Sequence, residues 1–226
     1  MVPWGLVDLP QGLDILNDIC NPRANSFWRG GFLMELGTAL LIVDMQMEMA
    51  NATAAGRPRA NPGANPQPED SIAELAAGFR RAGLPVVHVM HDDPRRESKF
   101  RRDLASGQPM PCAQPLAGEK VFWKTGSSGF VGTDLAEYLR GQGISDLVIV
   151  GGVAAFCVNS TARSAANLGF RISVVEDALI AFALPDRHGG DLDADVVLDV
   201  TLSALAAGFG AVVPSREVLE QLPVAA

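Results

Sequence analysis

At 226 residues the chain can bury a full core, and its length fits one α/β domain over residues 1–226. A formal net charge of −8 and an isoelectric point near 4.8 argue against nucleic acid, whose phosphates call for a basic face. No polybasic patch, membrane-length apolar segment or signal-peptide pattern is present, so the sequence predicts a cytoplasmic protein without a membrane partner, its cysteines Cys20, Cys112 and Cys157 reduced.

Residues 1–37 carry Pro3, Pro10, Pro22 and several glycines with little periodicity, which predicts an irregular arm. The first strand is expected over 38–44 (TALLIVD), a near-continuous apolar run of the kind buried on both faces. Residues 50–68, rich in Ala, Asn, Pro and Gly, read as a loop. A helix should start at Asp70 or Ser71 and run to Arg81, with Ile72, Leu75, Ala76 and Phe79 on one face. A strand over 85–90 leads into a polar excursion over 91–118, and a third strand follows over 119–123. Thr133 is a plausible N-cap for a helix to Arg140, and the fourth strand is 147–150. A helix carrying Cys157 then runs to about Leu168, followed by a strand over 171–176, helical spacing over 194–207 and a short edge strand over 211–213.

Strand and helix alternating in this way imply right-handed crossovers and a parallel sheet with helices on both faces. Ligands of such sheets bind beyond the carboxyl ends of the strands. Asp44, His91 and Lys124 stand at the first three of those ends, and the fourth leads through a glycine pair into Cys157. Alone, a cysteine there could be a small apolar residue packed under the sheet. With an acid and a lysine at the same edge it becomes a nucleophile. A helix start and Lys124 would favour its thiolate, and Asp44 would take the thiol proton and return it to a leaving amine. Backbone N–H groups of the turn 151–157 would hold the oxyanion.

On these residues the sequence resembles the isochorismatase-like cysteine hydrolases, the superfamily of nicotinamidases and N-carbamoylsarcosine amidases. The resemblance rests on Asp44-Met45-Gln46 after an apolar strand, on KTGSSGFVGT from Lys124, and on the Gly-led turn before Cys157 and Val158 with Thr161 and Ala162 beyond. It implies a three-layer, Rossmann-like α/β fold with a six-stranded parallel sheet and a catalytic triad of Asp44, Lys124 and Cys157. It also implies a cis peptide at Gly152–Val153, an oxyanion hole from the N–H groups of Val153 and Cys157, and a homo-oligomer, dimer or tetramer. HDD at 91–93, TAR at 161–163 and LGF at 168–170 look most like the branch containing streptothricin hydrolase. Met49 stands where the family often has Phe, and Ala154 and Ala155 where it often has Thr and Asp. The metal-binding Asp-x-His of nicotinamidases has no counterpart among His88, His91 and His188, so neither metal nor other cofactor is expected. Gln46, His91, Trp123 and Phe130 are the candidates for the substrate-binding wall.

The leading expectation is therefore an amidohydrolase that cleaves a small amide, carbamoyl compound or lactam through a thioester. The alternatives are an isochorismatase-type vinyl ether hydrolase, which relies on the acid and not the cysteine, and a catalytically idle scaffold of the same fold.

Overall fold

The run TALLIV forms strand β1 (Thr38–Val43), and every residue of it is buried. Ala39, Leu41 and Val43 enter the core on one face and Leu40 and Ile42 the core on the other, which is why the strand shows no polar alternation. The structure is a computed structural model that describes residues 37–61, 63–64 and 67–223. The expected arm, with its Phe27, Trp28, Phe32 and Cys20, lies outside the described residues apart from Gly37.

Helix α1 (Met47–Ala54) follows β1, then α2 (Pro68–Arg81), β2 (Val86–His91), β3 (Lys120–Lys124), α3 (Leu135–Gly141) and β4 (Asp146–Gly152). A π-helical turn, Ala154–Val158, leads into α4 (Asn159–Asn167), and β5 (Arg171–Ile180) comes next. The short pair β6 (Leu184–Pro185) and β7 (Asp191–Leu192) precedes α5 (Ala194–Gly208), β8 (Ala211–Val213) and α6 (Ser215–Glu220). The main sheet is six-stranded in the order β3-β2-β1-β4-β5-β8 and parallel throughout. Residues of α3, α4 and α5 pack into the core on one face, and residues of α2 and α6 into the core on the other. This is the three-layer α/β arrangement that the alternation of elements predicted. No helix among the described residues is long and apolar enough to cross a membrane.

Four expectations need adjustment. Residues 47–54 form α1 where a loop was expected from residue 50, although Met49 is its one buried residue. The helix is held from outside: Met47 N donates to Gln108 O at 2.8 Å, so the polar excursion folds back over the end of β1. Helix α2 begins at Pro68 because Gln67 and Asp70 form a capping box, which makes Asp70 the third helical residue and not the cap. Helix α3 begins at Leu135 behind Asp134, and Thr133 Oγ1 both donates to Gly129 O and accepts from Leu135 N at 3.4 Å, so it still serves the start of the helix from one residue further out. Strand β5 continues to Ile180 through a shift of register against β4, and Asp177 on that extension accepts from Ser215 N at 2.7 Å.

Candidate functional site

The site begins where β1 and β4 end side by side. Val43 pairs with Gly151, whose φ is +124°, and a Cβ there would lie 2.0 Å from Val43 O. Only glycine permits that approach. Asp44 follows in the left-handed region at φ +50°, which an aspartate tolerates, and its N–H donates to Val89 O at 2.8 Å. On the other side of β2, Lys124 ends β3 in register with His91. The parallel register thus carries three strand ends to one edge.

There Lys124 Nζ donates to Asp44 Oδ2 at 2.7 Å, to Gly126 O at 3.1 Å and to Cys157 Sγ at 3.3 Å, and stands 3.1 Å from His91 Nδ1. Asp44 and Lys124 are each only 1% exposed. Asp44 Oδ1 is buried without a hydrogen-bond partner. The residues expected to carry chemistry at four separated points of the chain therefore meet around one ammonium group.

The charges of the cluster are set by burial. Burial pushes the Asp44 carboxyl up from the ordinary aspartate value, against the pull of Lys124. The Cys157 thiol is pushed up to about 12 by burial first and then by Asp44, with Lys124 opposing. A helix start and a lysine were expected to favour the thiolate. Instead Cys157 sits inside the π-helical turn before α4 begins, and desolvation outweighs the cation, so the resting group is a thiol. The turn is entered through a cis peptide at Gly152–Val153, the position the resemblance implied.

A family model for the Isochorismatase domain matches residues 38–195. The chain belongs to the isochorismatase family. It is 31% identical over 187 residues to the secreted isochorismatase effector Isc1 of Verticillium dahliae, covering 80% of this chain and 90% of that protein. It is 29% identical over 198 residues to maleamate amidohydrolase of Pseudomonas putida, covering 81% and 86%. The solved structure of an isochorismatase-family hydrolase from Chromobacterium violaceum superposes with a TM-score of 0.77 at 32% identity, covering 83% of this chain and 94% of that one.

For this member of the isochorismatase family, the four expected substrate-wall residues divide. His91 lies in the cluster, its ring edge-on to Phe100 at 5.8 Å. Gln46 is fully buried, and its amide is occupied by backbone: Nε2 donates to His91 O at 2.9 Å and Gly107 O at 2.7 Å, and Oε1 accepts from His91 N at 2.9 Å. It fastens the ends of β1 and β2 to the polar excursion and has no amide group left for a substrate. Alternation along β3 turns Trp123 away from Lys124, and it lines a cleft with Thr133 and Tyr138 at the sheet edge. Phe130 packs on Phe170 with ring centroids 5.7 Å apart.

Other positions emerged only in three dimensions. The segment after Lys124 is tied to α4, with Ser128 Oγ 2.8 Å from Ser164 Oγ and Gly129 N donating to Thr161 Oγ1 at 3.0 Å. The lysine motif and the Thr161-Ala162 motif are thus two sides of one clamp. Phe156, adjacent to Cys157 in sequence, is 49% exposed, yet in the sequence it is only one more apolar residue of the turn. Asp44, His91 and Cys157 present possible metal-ligand atoms within 4.8 Å of one another. Lys124 Nζ contacts all three residues, so a divalent ion would have to displace a buried ammonium. The donor set does not fit a resident metal.

Proposed function

We propose that this protein is a cysteine-dependent amidohydrolase acting on a small amide, carbamoyl compound or lactam. The observation that carries the reading is the single buried ammonium of Lys124 bridging Asp44 and Cys157 at 2.7 and 3.3 Å. A thiol at about 12 loses its proton to water reluctantly, because the buried cluster would gain a net negative charge. Transfer of that proton to Asp44 conserves the charge of the cluster and leaves the thiolate paired with Lys124. The raised carboxyl is the stronger base for that step.

In the proposed reaction Sγ of Cys157 attacks the substrate carbonyl carbon while its proton passes to Asp44. The oxyanion is received by the N–H groups of Val153 and Cys157. Collapse breaks the C–N bond, and the amine leaves with the proton from Asp44, giving a thioester on Cys157. Water, deprotonated by Asp44, then attacks the thioester and releases the acid, and the proton returns to Sγ. The likeness to maleamate amidohydrolase supports this class of reaction.

Ammonia release from wild type and Cys157→Ala, across primary amides and carbamoyl compounds, tests the proposal. Release by wild type alone is the expected result. Undiminished turnover of any substrate by Cys157→Ala would remove the nucleophile. Silence of the folded wild type across this panel would instead favour the second reading, acid-driven vinyl ether hydrolysis, which releases no ammonia and which the upward push on the Asp44 carboxyl suits.

A further inference from the structure

An ammonium has three protons to donate. Lys124 Nζ has four acceptors within reach: Asp44 Oδ2 at 2.7 Å, His91 Nδ1 and Gly126 O at 3.1 Å, and Cys157 Sγ at 3.3 Å. His91 serves as one of them only with Nδ1 unprotonated, so a neutral ring must carry its proton on Nε2. The ring is held from several directions. Gln46 grips the main chain of His91 at both N–H and C=O, each at 2.9 Å, and Phe100 stands edge-on to the imidazole at 82°. A side chain immobilised in this way, with one ring nitrogen on the buried ammonium, is built to fix a neighbour.

We propose that His91 is a positioning residue for Lys124: its unprotonated Nδ1 anchors the ammonium at the point from which it reaches both Asp44 and Cys157. The inference rests on the reading that Cys157 is the nucleophile and Lys124 its counter-charge. The charged and titratable groups facing the ring are Lys124 from β3, Asp44 beyond β1, Cys157 from the π-helical turn, and Asp93 on its own segment. Burial and then Lys124 hold His91 toward its neutral form, and the two carboxylates and the Gly126 carbonyl, an acceptor for a ring N–H, oppose them. Protonation would aim an N–H⁺ at the ammonium across 3.1 Å, and Lys124 would have to withdraw from the corner it shares with Cys157. Activity therefore falls on the acid side as His91 gains its proton.

The test compares wild type, His91→Leu and His91→Asn. Asn keeps an acceptor near the position of Nδ1 and does not titrate. The leucine variant should lose about tenfold or more in kcat with little change in KM. The asparagine variant should recover most of kcat and lose the acid limb that belongs to His91. A leucine variant altered in KM alone, or an asparagine variant with the wild-type acid limb, overturns the proposal. A second arm needs no substrate: ring-carbon NMR of His91, one of 3 histidines, should report the Nε2–H tautomer in wild type and a weakened preference in Lys124→Met. A proton on Nδ1 in neutral wild type overturns the inference whatever the enzyme hydrolyses. The expected tautomer together with an active Cys157→Ala would instead sink the amidohydrolase reading.

Discussion

His88 and His91 lie three residues apart on β2, point to opposite faces of the sheet, and each stands beside an acid and a base. Around His88 it is the Glu119 carboxylate that is saturated, while His88 Nδ1 is itself buried without a partner. Glu119 accepts from Arg80 Nε at 2.7 Å, from Arg80 Nη2 at 2.9 Å and from Leu116 N at 2.8 Å, and His88 Nε2 lies 2.9 Å from its Oε2. Around His91 the network is left open, with four acceptors competing for three ammonium protons and Asp44 Oδ1 buried without a partner. The first arrangement holds the Glu119 carboxylate from four donors and so holds structure. The second leaves one acceptor more than there are protons, the arrangement that the proposed transfer from Cys157 to Asp44 would use.

The largest effects should follow from breaking the open cluster. Asp44→Asn and Lys124→Met are each expected to lower kcat by at least about 10³-fold, measured as ammonia release on whichever amide the wild type hydrolyses. Loss of less than tenfold in either would place the chemistry elsewhere.

Glu119→Gln reverses the pattern. It should leave kcat within about twofold of wild type and cost about 1–3 kcal/mol, because Arg80, His88 and Leu116 N lose a charged acceptor. For a chain of this size that is a fall in Tm of about 2–4 °C per kcal/mol. An inactive but stable Glu119→Gln protein would erase the distinction between the two networks.

Acid stability sharpens the contrast. Burial holds His88 below its ordinary 6.5, so the unfolded chain binds the extra proton first, and stability falls as the pH drops below 6.5. Burial pushes Glu119 up, but Arg80, the Leu116 N–H and His88 outweigh it and hold the carboxyl at about 2. Its contribution is present above 4.5 and fades as the pH falls toward 2. Urea midpoints against pH should show both losses in wild type and only the first in Glu119→Gln.

The smallest effect is a change of slope. If proton transfer from Cys157 to Asp44 is internal, as proposed, iodoacetamide modification of Cys157 should be nearly independent of pH around neutrality. In Asp44→Asn it should instead climb about tenfold per pH unit, as for a thiol of high pKa. The same climb in wild type would deny the transfer.

Much of this arrangement was legible in the chain. An apolar run ending in Asp44, a strand ending in Lys124 and a glycine pair leading to Cys157 mark strand ends, and in a parallel sheet strand ends share an edge. Helix α1 was not legible, because MEMANATA buries only Met49 and is held by a segment more than fifty residues away. Nor was the fate of Gln46, whose apparent role beside Asp44 gave way to three hydrogen bonds with distant backbone.

By itself, then, the sequence determined the succession of the six strands of the main sheet and of helices α2 to α5, the two-sided burial of β1, and the set of reactive residues at the sheet edge. Apolar periodicity and glycine placement are local properties, and a single chain displays them. Tertiary structure alone decided that one ammonium serves Asp44, His91 and Cys157, that Trp123 faces away and Phe130 packs on Phe170, and that the thiol rests protonated. Those outcomes depend on distance and desolvation, which exist only after the strands have been brought into register.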